Sequence, residues 1–186
     1  MIDTEGIVKR MYPKIIEAGL GIIHDEAAAL DALNGYPSDM LEDLVEDGEN
    51  EFLFYAVQFT DAFDLDLEGL GYEDILRQIQ DISDGELVFE DIREDISEET
   101  LESGEGTGEV YFKCNGEEYH FTANVYYDWL DYNIIPYLNS ILEAKKMEKR
   151  IIRFGGMNGN LLTFKKPEFC EKFNALFSTL EAEVDL

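Results

Sequence analysis

"GTGEVYFKCNGEEYHFTANVYY", residues 106–127, decides the fold. Asn115-Gly116 is the preferred two-residue hairpin turn, because both central positions need positive φ. Apolar and polar residues alternate on either side of it, as they do in half-buried strands. The turn sets the register. Cys114 faces Glu117, Lys113 faces Glu118, Phe112 faces Tyr119, Tyr111 faces His120 and Val110 faces Phe121. One face then holds Val110, Phe112, Tyr119 and Phe121 and belongs to a core. The other carries a Lys113–Glu118 pair and is wet.

Downstream, "DWLDYNIIPYLNSILEAKK" predicts a helix that begins between Asp128 and Ile134 and holds Pro136 in its first turn. Its apolar stripe is Ile134, Leu138, Ile141 and Leu142. "RIIRFGGMNGNLLTFKK" predicts a second hairpin with a glycine-rich loop. A phosphate cradle needs a helix after such a loop, and here a strand follows. Pro167 opens a last helix, "PEFCEKFNALF". The C-terminal half therefore reads ββαββα, preceded by a strand from "ELVFED". An antiparallel sheet with helices on one face is the expected arrangement.

Upstream, helical patterns dominate. "TEGIVKRMYPKIIEAGL" spaces Ile7, Met11, Ile15 and Ile16 near the helical period, with Pro13 as a kink or break. "HDEAAALDAL" is rich in helix formers, Ser38 can cap "DMLEDLVED", and "GYEDILRQIQDISDG" puts Ile75, Ile79 and Ile82 on one side. "NEFLFYAVQFTDAF" fits a helix stripe or a buried strand, and we read it as helix. The expectation is one α+β domain over residues 1–186. Residues 1–83 form a mainly helical acidic subregion and residues 84–186 the antiparallel-sheet subregion.

Charge is the most unusual property. The chain has 186 residues, 42 acids and 14 Lys or Arg, a net charge of -28. Residues 15–112 hold 29 acids against Arg77 and Arg93 alone, net -27. Residues 113–186, with eleven acids and nine bases, are nearly balanced. With 45% apolar residues the chain can build a core, so disorder does not explain the acids. Solubility asks for a net charge of only about 2–8 on a small domain. Adaptation to high salt would acidify the whole surface. A basic partner explains a local excess, since complementary potential steers encounter. Binding to nucleic acid is disfavoured, because phosphate repels this charge.

Within "DGELVFEDIREDISEE", residues 84–99, eight of sixteen residues are acidic, yet Leu87, Val88, Phe89, Ile92 and Ile96 lie among them. If this segment is helical, Ile92 and Ile96 turn inward and Glu90, Asp91, Glu94 and Asp95 form the partner-binding face. A second candidate is "YYDWLDY", where Tyr126, Tyr127, Trp129 and Tyr132 alternate with Asp128 and Asp131. Aromatics beside acids suit a surface that grips Arg or Lys. Tyr127, Asp128 and Tyr132 are the residues assigned to it, and Trp129 is expected to plug the end of the sheet.

Catalytic and metal-binding readings are weaker. His24 and His120 lie in no nucleophile-bearing pattern. Cys114 flanks a turn and could be exposed, with no nearby base to activate it, and Cys170 is expected as a small buried hydrophobe. Asp64, Asp66, Glu68 and Gly69 imitate a calcium loop, but its twelfth position is Ile75 where a bidentate Glu belongs. Carboxylate pairs are too abundant to mark a glycosidase dyad. No cofactor is expected. "MIDTEGIVKR" has no apolar h-region, so no signal peptide is expected, no run is long enough for a membrane span, and two lone cysteines suit a reducing cytoplasm.

"EETLESGEGTGEVYFKCNGEEYHFTANVYYDWLDYNIIPYLNSIL" followed by "KRIIRFGGMNGNLLTFKKPEFCEKFNAL" resembles small acidic immunity proteins of bacterial toxin–immunity systems, including the polymorphic and contact-dependent inhibition systems. The resemblance spans about the last 90 residues. It rests on the NG hairpin, the "DW" lead into a helix, a strand pair and a final helix. It implies a cytoplasmic, non-enzymatic protein that binds and neutralises one cognate toxin, in many systems a basic nuclease. The alternative is an acidic adaptor or nucleic-acid mimic acting on another basic nucleic-acid-binding protein.

Overall fold

The computed structural model describes residues 2–37, 39–42, 57–69, 71–155, 161–177 and 180–186. The NG hairpin forms with the expected register. Strands β3 (Glu105–Cys114) and β4 (Glu117–Tyr126) pair from Cys114↔Glu117 outward to Glu105↔Tyr126. Asn115 and Gly116 take φ of 52° and 80°, as the turn requires. Strand β2 (Phe89–Asp95) adds antiparallel to β3 and completes a three-stranded sheet in the order β2-β3-β4.

The second hairpin, β5 (Arg150–Gly155) and β6 (Leu161–Lys165), does not join that sheet. It forms the middle of a four-stranded antiparallel sheet, flanked by β1 (Ala62–Asp64) and by β7 (Glu181–Val184), in the order β1-β6-β5-β7. The α+β class therefore holds, but the single sheet with helices on one face becomes two sheets. β7 is not signalled in the sequence, and β1 only through the strand alternative for the stretch that ends at Phe63. Both are short, and their partners lie about a hundred and about thirty residues away.

Helices separate the sheets. Helices α1 (Thr4–Ala18), α2 (Glu26–Asn34) and α6 (Glu168–Leu176) cover one face of the four-stranded sheet. Helices α3 (Tyr72–Ile82) and α5 (Ile134–Ala144) fill the space between its other face and the three-stranded sheet. A short α4 (Glu98–Ser103) links β2 to β3. Side-chain alternation in β5 feeds both layers. Ile152 and Phe154 enter the core under α1 and α6, while Ile151 enters the core under α3 and α5. The two cores cross the expected subregion boundary, since residues from Ile7 to Leu33 pack with Phe169, Phe173 and Ala182.

Several local expectations hold. Helix α5 has Pro136 as its third residue, where a missing N–H costs nothing. Ile75 and Ile79 of α3 are buried. Asp3 and Asp25, not named as caps from the sequence, cap α1 and α2 by accepting from the Gly6 and Ala28 amides. Pro13 neither breaks nor ends α1, which runs through it to Ala18. Ile16, placed in the apolar stripe, is exposed. The helix read for residues 50–63 is corrected over its described part. Val57 and Gln58 are not helical, Phe59 bridges to Ile22, and Ala62–Asp64 is a strand. The β-branched and aromatic content that made this stretch ambiguous wins where a neighbouring strand is available. Ser38, most of "DMLEDLVED" and the loop 156–160 lie outside the described residues.

Amide side chains finish several strand ends. Asn139, buried, accepts from Ile151 N and donates to the carbonyls of Ile151 and Asp185. Asn174 brackets the Ala182 N–H and C=O in the same way. Gln80 accepts from Phe89 N and Arg77 donates to Phe89 O. Each stands in for a missing strand partner and leaves no bare backbone pair at that point.

Candidate interaction surface

The acidic segment is a strand followed by a short helix, so its side chains divide between two faces. Arg93 projects outward opposite Tyr111, with its guanidinium 4.5 Å from the ring centroid. Glu90 is opposite Lys113. Between Glu90 and Arg93 the register slips by one residue, and Asp91 sits at that bulge with φ 51°. The bulge aims the Asp91 carboxylate at Lys113, 2.6 Å away. Lys113 stands opposite Glu118 as the register predicts, but its ammonium pairs with Asp91 on the neighbouring strand. The Glu94 carboxylate accepts from the Tyr72 amide at 2.9 Å and holds the N-terminus of α3. Asp95 is exposed opposite Glu109. The four acids proposed from a helical face are thus not one face. Glu90 and Asp95 are exposed without an ion pair among the described residues, Asp91 is neutralised, and Glu94 works within the fold.

The outer face of the three-stranded sheet carries Arg93 and Lys113 among its acids. Arg93, Tyr111 and His120 form a stack across β2, β3 and β4, with the Tyr111 and His120 rings 4.9 Å apart and nearly parallel. His120 pairs with Glu109, which also accepts from Thr122. The His120 side chain is half exposed, and the pair serves cross-strand packing. His24 lies just before α2, and its carbonyl accepts from Tyr12.

Acids without cations gather farther along. Glu98, Glu99 and Glu102 on α4, Glu105 at the start of β3, and Asp128 are exposed and form no ion pair with a described residue. Beside them, at the open end of the hairpin, lie Tyr126 (59% exposed), Tyr127 (63%) and Trp129 (50%). The two tyrosine rings meet edge to face at 5.1 Å. Trp129 does not plug the sheet; the buried residue at that end is Leu130, whose amide donates to Leu67 O. Tyr127 takes φ 54°, its amide donates to Gly104 O at 2.6 Å, and its ring lies over Gly104. A Cβ on Gly104 would come within 2.6 Å of that ring, and Gly104 itself has φ 73°.

Tyr132, assigned to the same cluster, points elsewhere. It is half-buried and donates its hydroxyl to Asp185, which also approaches Arg153. Burial and then the Asp185 carboxylate hold its hydroxyl well above the ordinary tyrosine range. Arg153 also pairs with Glu183, so this network fastens β7 to the loop before α5. Asp131 is likewise structural. Burial would raise its carboxyl, but hydrogen bonds from the amides and side chains of Asn124 and Asn133 prevail and hold it below the usual carboxylate range.

A polar groove of about 460 Å³ opens between the end of α3 and the end of β6. Its three lysines are matched by acids: Lys165 with Asp61, Lys149 with Glu86 and Lys166 with Glu148, each at 2.5 Å. Asp81 and Asp84 also line it, so it carries no net positive charge for an anion. Cys114 is buried, and Cys170 is half-buried against the core under α1 and α6; burial raises both thiols. Among the described residues no group of His, Cys, Asp and Glu is arranged to hold a metal ion, and no helix is long and apolar enough to cross a membrane. In Asp64, burial and then Asp66 raise the carboxyl.

What the geometry defines is an α+β protein whose distinctive surface is acidic and aromatic. Compared with protein-family models, curated proteins and solved structures, the chain gives no match to any of them. Glu102, Glu105 and exposed Trp129 are functional candidates that sequence reading did not assign. The absence of any Lys or Arg between Arg93 and Lys113 was the available signal.

Proposed function

We propose that the protein is a non-enzymatic cytoplasmic inhibitor, an immunity protein that binds and neutralises a cognate basic toxin through its acidic surface. A basic nuclease is the kind of toxin such a surface fits. The observation that carries this reading is the run from Glu94 to Phe112, which holds seven acids and no base, with five of them presented on α4 and its flanks. The segment is held in place by the Glu94 bond to α3 and by Ile96, which lies over Gly108. A preorganised charged surface loses less entropy on binding than a disordered tail. Glu90, Asp95, Glu98, Glu99, Tyr127 and Asp128 are the contact residues of this reading. The same surface also fits the alternative of an acidic adaptor that occludes the phosphate-binding cleft of another basic protein.

The test is to purify the chain with the product of the gene beside its own and to titrate one against the other. A stoichiometric complex that blocks the partner's activity, and weakens as salt rises, supports the reading. Replacing Glu90, Asp95, Glu98 and Glu99 by Gln or Asn should flatten the salt dependence. Protection at far below one equivalent would indicate turnover instead. No complex with that product, together with binding to a different basic nucleic-acid-binding protein, would move the assignment to the adaptor.

A further inference from the structure

The aromatic cluster at the hairpin mouth has a chemistry that the acids alone do not. Tyr126, Tyr127 and Trp129 are the only described aromatic side chains in the exposed class. All others, from Tyr12 to Phe177, are at least half covered. Leu101 on the neighbouring α4 is 60% exposed, and Gly104 joins α4 to Tyr127 directly. Trp129 bridges back to Tyr126 and across to Glu68, so the rings are fixed on backbone pairing and do not hang from a free loop.

The charge around them has one sign. Glu68 bridges to Trp129, Glu105 pairs with Tyr126, Asp128 lies between Tyr127 and Trp129 in the chain, Glu102 comes two residues before Gly104, and residues 94–112 and 114–144 contain no Lys or Arg. A ring face attracts a cation through its quadrupole, and trapped carboxylates attract the same cation. A planar guanidinium suits both at once better than an ammonium. It stacks on an aromatic face while its fork donates to a carboxylate beside the ring, whereas an ammonium is a compact, strongly hydrated point charge. The molecule already shows this preference within itself, in Arg93 stacked on Tyr111.

We propose that Tyr126, Tyr127 and Trp129, rimmed by Glu102, Glu105 and Asp128, form an arginine-recognition patch that anchors an arginine-bearing segment of a basic protein partner. The inference rests on the reading of the chain as a binder of a basic partner, and it deepens that reading by naming the anchor and its side-chain class. Tryptophan and tyrosine in a desolvated centre carry most of the energy of such contacts, and the acids at the rim bring the partner in and exclude its competitors.

Trp129 is the chain's single tryptophan, so the full-length protein reports on its own patch. The experiment follows its emission while nona-arginine or nona-lysine is added, at low and at physiological salt. The expected result is a saturable emission change with nona-arginine, at an apparent affinity about tenfold tighter than nona-lysine at the higher salt. A Tyr126→Ala/Tyr127→Ala variant should lose that tenfold preference and keep the weak lysine binding. Its circular dichroism and melting temperature establish that it folds. Should it melt early, Tyr126→Leu with Tyr127 intact replaces it and should lower the preference by severalfold. A control that neutralises the remote α2 acids, Glu26→Gln/Asp31→Asn, should leave the preference unchanged.

Equal affinity for the two peptides, or a preference that survives loss of both tyrosines, overturns the proposal. So does an emission shift with phosphatidylcholine vesicles in place of the peptides, which would assign the patch to a lipid surface. An arginine-selective patch on a chain that binds no toxin would sink only the immunity reading. Salt-sensitive toxin binding untouched by the tyrosine changes would sink only this one.

Discussion

The two sheets differ in how many faces they bury. The four-stranded sheet is covered on both. Ile152, Phe154 and Ala182 lie under α1 and α6, and Ile151, Leu162 and Phe164 lie over α3 and α5. The three-stranded sheet is covered only on the face that holds Val110, Phe112, Phe121 and Ala123, and its other face meets water. Burial on two sides writes a continuous apolar run, "RIIRF" and "LLTF", whereas burial on one writes the alternation of "VYFKC" and "YHFTA". The difference teaches where a protein of this kind keeps its surface chemistry. The doubly covered sheet is scaffold. The singly covered one is free to carry charges, stacks and, at its open end, the aromatic patch.

The largest effect should fall on the doubly covered sheet. Phe154 is buried and packs edge-on against Phe59, Phe169 and Phe173. Phe154→Ala should cost about 3–5 kcal/mol in denaturant unfolding. A loss below about 1 kcal/mol would mean that this layer is far looser than described.

The dry side of the three-stranded sheet can be probed by alkali. Burial pushes the Tyr72 hydroxyl up to about 12, against the hydrogen bond it accepts from the Asp131 amide, with Asp131 and Glu94 adding to the rise. The folded value lies above the unfolded one of about 10, so this contribution is intact below pH 10 and is lost as pH climbs from about 10 to 12. Its full size is about 3 kcal/mol. Tyr72→Phe should remove that part of the alkaline slope. Identical alkaline melting curves for the two proteins would show that Tyr72 is not desolvated.

An intermediate effect is expected at the hairpin mouth. Gly104→Ala puts a Cβ against the Tyr127 ring at a position with φ 73°. It should destabilise the protein by about 1–2 kcal/mol and shift Trp129 emission, because the ring must move. Unchanged stability and emission would show that the Tyr127 ring does not rest on Gly104. The smallest effect belongs to the wet face. Arg93→Ala removes the stack on Tyr111 and should cost about 0.5–1 kcal/mol, less in high salt. A loss comparable with that of Phe154→Ala would erase the distinction between scaffold and surface.

Legibility followed locality. The sequence by itself determined the NG hairpin, its register and its buried face, because turn geometry and period-two alternation act over neighbouring residues. It also determined α3, α5 and α6, whose apolar stripes are local, and the concentration of net negative charge in residues 15–112. Tertiary structure decided what depends on distant partners. It separated the two hairpins into different sheets, and made strands of Ala62–Asp64 and Glu181–Val184. Such short segments have little propensity of their own and become strands only where an edge is offered. It also decided which acids are free. Glu94 and Asp91 carry the same charge as Glu90 and Asp95, but a helix end and a lysine across a bulge claimed the first two. Charge is legible in a sequence, whereas the partner that neutralises it is chosen by folding.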